Sequence, residues 1–157
     1  MVEKKENKSE KVVLRIYDLS RGQAKIFAKS FNLDIEGIWH TSVEVFGREY
    51  YFQNGIIHSE PGKTHHGEAL ERIEMGITQL TSDLFVEFLN DMNHKYNEFS
   101  YNLFKNNCNH FSNDVTLFLV GKSIPDHILS LPDTFMKSPL YKMLMGGQND
   151  EDKKDNA

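Results

Sequence analysis

The sequence predicts an α+β domain, and three observations predict it. Period-two alternation marks an N-terminal strand and a hairpin. Apolar residues at helical spacing mark one early helix and two later ones. The order is then β, α, several strands, α, α, which does not fit an alternating, doubly wound sheet.

Each element has its own signal. "KVVLRIYDLS" sets Val12, Leu14 and Ile16 against Val13, Arg15 and Tyr17, as a strand does. Ser20 and Gln23 form a capping-box pattern, and Ala24, Phe27, Ala28 and Phe31 follow on one side of a helix. "HTSVEVFGREYYFQ" reads as a hairpin, with Gly47-Arg48 as a turn of the II′ kind. "SEPGKTHHGEA" is a loop and "ERIEMGITQL" a further strand. Thr81 caps a helix with Asp83 in its first turn; Leu84, Phe85, Phe88, Leu89 and Met92 form its apolar face. "YNLFKNN" is a connection. A helix then begins near Asn107, carries Phe111, Val115, Phe118 and Leu119, and ends at Gly121 with Pro125 beyond. "IPDHILSLPDTFMKSPLYKMLM" reads as short helical pieces broken by Pro132 and Pro139. The folded unit is expected over residues 11–145. The polar ends, 1–10 and 146–157, are expected to be disordered.

Composition narrows the function. The 157 residues are 39% hydrophobic and 26% charged, enough for one domain with one core. A net charge of −5 without a Lys/Arg cluster argues against nucleic-acid binding. One cysteine builds no disulfide framework. "MVEKKENKSEK" has no apolar h-region, and no run reaches the roughly 18 apolar residues of a membrane span. A soluble protein of the cytoplasm or nucleus is expected.

Two readings of that cysteine, Cys108, stand open. It precedes Phe111 by three residues and Val115 by seven, so it falls on an apolar stripe where a thiol acts as a small hydrophobe. If Asn106 or Asn107 caps the helix, Cys108 also lies in its first turn. Unpaired N–H groups and the positive end of the helix dipole favour a thiolate there, and the same N–H groups can receive an oxyanion.

A nucleophilic cysteine needs a base. Of seven histidines, His110 points to a different helix face and His127 lies in a late loop or short helix. His58, His65 and His66 lie in or near a loop, and His94 at a helix end. His40 opens a strand, with Ser42 and Glu44 on its face and Thr41, Val43 and Val45 on the other. A histidine at a strand mouth can meet a cysteine at a helix N-terminus, although spacing does not show that they meet. For a metal, "CNH" and "THH" offer Cys108, His110, His65 and His66 without paired zinc-site spacing. No metal or cofactor is expected.

Taken together, "LRIYDLSRG", "EGIWHTSVEVFGREYYF", "YNLFKNNCNHFSNDVTLFLVGKSIPDHI" and "LPDTF" resemble the PPPDE family, the deSUMOylating isopeptidases, which are papain-like cysteine peptidases of permuted chain order. The resemblance covers residues 11–145. It implies a permuted papain-like fold, a small antiparallel sheet or barrel packed with helices, and a nucleophile at a helix N-terminus. It implies that His40, in "GIWHTS", is the general base and acid, and that Cys108, in "NNCNHFS", is the nucleophile. His110, where the resemblance implies a small polar residue, is then not the base. The third member and the second oxyanion donor stay unassigned, with Asn107 and Gln53 as candidates for the former.

The expected function is a cysteine isopeptidase that frees SUMO or another ubiquitin-like modifier from lysine through a thioester. An acyl-protein thioesterase using the same dyad is the alternative, and a non-catalytic binding module the third reading. The resemblance also implies modifier-conjugated proteins as substrates and a homodimer.

Overall fold

The computed structural model describes residues 9–144. The tails expected over 1–10 and 146–157 lie outside these residues except Ser9 and Glu10, and Glu10 already opens the first strand. The strands are β1 (Glu10–Asp18), β2 (Trp39–Val45), β3 (Arg48–Phe52), β4 (Ile56–Ser59) and β5 (Glu71–Thr78). The helices are α1 (Gln23–Ser30), α2 (Ser82–Asp91), α3 (Cys108–Val120), α4 (Asp126–Leu129) and α5 (Leu131–Met136). All paired strands run antiparallel, in the order β4-β3-β2-β1-β5, as an open sheet.

Alternation and register together decide which side each residue takes. Leu14 lies opposite Val43 and Ile16 opposite Thr41, so these share one face. That face packs against α3 through Phe111, Val115 and Leu119 and holds the main core with Phe52, Phe85 and Tyr96. The other face carries Arg15 opposite Ser42 and Tyr17 opposite His40. It is buried as well, but under the 60–67 loop rather than a helix, and its core is polar.

Glu49 is the centre of that second layer. It is fully buried, and its carboxylate accepts from the Tyr17 hydroxyl (2.6 Å), the Ser42 hydroxyl and the Gly62 backbone N–H (2.9 Å). Arg15 Nε stands 3.7 Å away, and Arg15 also pairs with Glu44 at 3.0 Å. A buried charge is tolerated only when its lone pairs are spent in this way.

Four local expectations change. The β2–β3 turn centres on Phe46-Gly47, both at positive φ (52° and 73°), which is a I′ arrangement rather than Gly47-Arg48 as II′. β4 was not expected: residues 54–58 fall in no element read from the sequence, and 56–58 become strand by pairing with β3. No capping box opens α1. Gly22 is its N-cap, Ser20 Oγ instead accepts from Ala24 N–H (3.0 Å), and Phe27 and Phe31 stay exposed. Pro132 and Pro139 start helical segments rather than break them, since the first turn needs no proline N–H. The predicted α2 and α3 are present, with Thr81 accepting from Leu84 N–H and Gly121 closing α3 at φ 68°.

The buried carboxylate makes a stability prediction. Glu49→Ala strands the Tyr17 and Ser42 hydroxyls and the Arg15 charge, and should cost about 3–5 kcal/mol in urea unfolding. Glu49→Gln retains an acceptor and should cost less. Equal losses for the two variants would contradict the charge-centred account.

Candidate active site

The site forms where β1 ends, β2 begins and α3 starts. α3 starts at Cys108 because Asn107 caps it. Asn107 Oδ1 accepts from the N–H groups of Asn109 (2.8 Å) and His110 (3.3 Å), and His110 Nδ1 accepts from Asn107 N–H (3.0 Å). This is a capping box with histidine in the usual Glu position. His110 therefore has a structural task at the helix start. Asn107 Nδ2 donates to Leu103 O at 2.8 Å, so the Asn107 side chain is fully used and is not free to orient an imidazole.

Asn109 ties this helix start to β2. Its Nδ2 donates to Trp39 O (2.9 Å) and its Oδ1 accepts from the Thr41 hydroxyl (2.8 Å). The two partners flank His40 in sequence. Cys108 and His40 consequently line one cavity of about 470 Å³, with Asp18, Gln53, Tyr101 and His66 among its walls. Cys108 reaches it from the helix face of the sheet and His40 from the opposite face, around the strand ends. A second, apolar cavity of about 240 Å³ meets Cys108 from the other side, walled by Ile38, Trp39, Leu103, Phe104 and Phe135. Tyr101 borders both.

Both groups are held close to neutrality. Burial pushes the Cys108 thiol up, and the Thr41 and Asn109 backbone N–H groups and the Tyr101 hydroxyl offset this only in part. Only 5% of Cys108 is exposed, so the depressed thiol pKa expected at a helix N-terminus is not found. Burial also lowers His40 to about 3, with the charges of His66 and His65 acting in the same direction. His40 is 3% exposed and its Nε2 has no partner among the described residues. Gln53 is exposed on the cavity wall and makes no hydrogen bond to His40 among the described residues.

The remaining histidines separate clearly. His58, His94 and His127 are exposed; His58 accepts from Arg48 Nε, and His94 lies 2.6 Å from Asp91 O. His127 packs edge-on against Trp39. His65 and His66, read from sequence as loop residues, reach the cavity, and His66 stacks on His40 with ring centroids 3.7 Å apart. No cluster of three His, Cys, Asp or Glu side chains among the described residues is arranged to hold a metal.

Sequence reasoning missed Asn109, Tyr101 and His66. Asn109 had a readable signal. Asn109, Ser112 and Thr116 form a polar stripe at helical spacing, and all three are buried. Tyr101 and His66 had none, since only the folded chain brings them to Cys108 and His40.

The neutral histidines make an acid-stability prediction. Burial lowers His66 to about 4 and His40 to about 3, whereas both protonate near 6.5 in the unfolded chain. Between those values the unfolded state binds more protons, so stability is lost as pH falls from about 6.5 toward 3. The melting temperature should drop over that window, and His66→Leu should flatten the drop. An identical slope in the variant would contradict the assignment.

Comparison with known proteins points the same way as the residues. Residues 10–148 match the family described as "PPPDE putative peptidase domain". The chain is 41% identical over 136 residues to Desumoylating isopeptidase 1 of Xenopus laevis, covering 85% of this chain and 80% of that protein. It is 38% identical over 136 residues to Desumoylating isopeptidase 1 of Homo sapiens, covering 85% and 81%. It is 27% identical to DeSI-like protein sdu1 of Schizosaccharomyces pombe, covering 75% and 62%. This chain belongs to the PPPDE peptidase family.

Proposed function

We propose that the protein is a cysteine isopeptidase that releases SUMO or a similar modifier from lysine side chains. The observation that carries this reading is the shared cavity, which is lined both by Cys108, in the first turn of α3, and by His40. The names of its relatives supply the substrate class.

The chemistry follows from the electrostatics. The pair rests as thiol and neutral imidazole, not as thiolate and imidazolium, because burial opposes both charges. Proton transfer then accompanies attack. His40 takes the Cys108 proton as the sulfur bonds to the carbonyl carbon of the modifier's terminal glycine. The C–N bond breaks, and His40 returns the proton to the leaving lysine amine. Water, deprotonated by His40, cleaves the thioester and restores the thiol. The Asn107 cap takes the Asn109 and His110 N–H groups, so the Cys108 N–H is the first-turn donor suited to receive the oxyanion. Thr41 N–H and the Tyr101 hydroxyl, which already face the sulfur, lie close to the reacting centre.

The apolar cavity beside Cys108 favours a second reading. A space of about 240 Å³ walled by Trp39, Leu103 and Phe135 suits an acyl chain, and thioester hydrolysis uses the same steps. Turnover of a fluorogenic long-chain acyl thioester, compared with a SUMO–lysine isopeptide, separates the two. No acyl-thioester turnover would remove the second reading.

Two outcomes test the dyad. A SUMO probe with a C-terminal electrophile should label wild type but not Cys108→Ala, and His40→Ala should slow isopeptide cleavage by about 10²-fold or more. Unchanged cleavage in Cys108→Ala would end the proposal. Iodoacetamide alkylation of Cys108 should also keep accelerating above pH 9, because the thiol is pushed up. A rate already level at pH 6 would indicate a resting ion pair instead.

A further inference from the structure

A catalytic imidazole needs a fixed plane, and a hydrogen bond to one ring nitrogen commonly supplies it. Among the described residues His40 has no such bond. Among the described residues no side chain donates to or accepts from its ring, and Nε2 is buried without a partner. Its ring is held by other rings. Tyr17 packs on it at 5.7 Å and 49°, Tyr51 meets it edge-on at 5.6 Å, and His66 covers its face at 3.7 Å and 21°.

His66 is itself well placed for this task. The same two tyrosines pack on it, Tyr17 at 5.7 Å and Tyr51 at 5.3 Å, so the two imidazoles sit as a pair between them. Its backbone N–H and Nδ1 both lie 3.3 Å from Thr64 Oγ1. Its loop is fastened at Gly62 to the buried Glu49, which also holds the Tyr17 hydroxyl. Strand, loop and ring therefore form one continuous support behind His40.

We infer that His66 is the positioning residue of His40, setting the plane of its imidazole by face-to-face stacking where a hydrogen-bonding third residue would otherwise act. The inference rests on the reading of His40 as the base for Cys108.

The stack is also suited to the charge that the reaction creates. At neutral pH His66 is uncharged; burial and His65 lower it to about 4, more than Glu49 raises it. When His40 takes the thiol proton, the new cation faces a neutral π surface, a favourable contact. In acid, a second ring proton on His66 would make it a cation and oppose that charge. The other groups facing the pair are Tyr17 from β1, Glu49 and Tyr51 from β3, His65 from the loop, and Cys108 at the start of α3. Asp18, Arg21 and Tyr101 are the further titratable groups on the cavity walls.

The test uses the full chain, a SUMO–lysine isopeptide substrate and pH-dependent iodoacetamide alkylation. His66→Ala should lower kcat about tenfold or more with KM within about threefold, as a mispositioned base does. His66→Phe should recover most of kcat, because it keeps a stacking face. His66→Leu, which fills the space without one, should rank with Ala. In His66→Phe the acid limb of the rate should move to higher pH, since His40 loses a repelling charge. Wild-type kcat in His66→Ala, Phe performing no better than Leu, or an unmoved acid limb would each overturn the inference. If Cys108→Ala and His40→Ala abolish cleavage while His66→Ala does not lower it, only the role of His66 fails. If those two variants cleave normally, the dyad reading fails first.

Discussion

The site depends on one side chain amide. Asn109 donates to the carbonyl before His40 and accepts from the hydroxyl after it, while its own N–H is taken by the Asn107 cap. An amide has a donor at one end and an acceptor at the other, so it can join two unlike partners across a buried gap. Aspartate would lack the donor and leucine both groups. Because Asn109 adjoins Cys108, the clamp sets the thiol's position along β2. A lost buried hydrogen bond costs more than its net worth, since it leaves the Trp39 carbonyl and Thr41 hydroxyl unsatisfied in the core.

A second constraint acts from the far side of the sheet. Among the described residues no helix covers the face opposite α3, yet Ser42, Glu49 and His40 are all buried there. The 60–67 loop serves as the lid, and loops carry backbone groups that need partners. Glu49 meets that need for Gly62 and at the same time anchors Tyr17. A purely apolar second face would pack no better against irregular backbone. The buried carboxylate thus converts a loop into a defined wall, against which two tyrosines and His66 hold the imidazole.

Burial and helix position compete at Cys108, and burial wins. The helix dipole and one or two N–H groups favour a thiolate by amounts that fade within the first turn. Removing the sulfur from water disfavours the charged form more strongly in a buried site, and the thiol rises. The same exclusion of water lowers His40. Tyr101 stands against the sulfur on the boundary between a polar and an apolar cavity.

Much of this was legible in the chain itself. Period-two alternation placed β1 and β2, helical spacing placed α2 and α3, and Asn107 and Gly121 marked the ends of the helix that carries Cys108. The α+β class and the family follow from those local patterns and from the "GIWHTS" and "NNCNHFS" blocks. Local signals are strong there because each element satisfies its own backbone. They were weak at β4, which is a strand only because β3 lies beside it, and at Phe46-Gly47, where the twist of the hairpin selects the turn. The loop histidines were beyond reach of any pattern. His66 lies 26 positions from His40, and only the closing of the loop over Glu49 stacks one on the other. The sequence by itself determined most of the elements and the family, and singled out the two residues, His40 and Cys108, on which the proposed chemistry rests. The tertiary structure alone decided their protonation and the rings that surround them, because burial and long-range contact are properties of the packed chain.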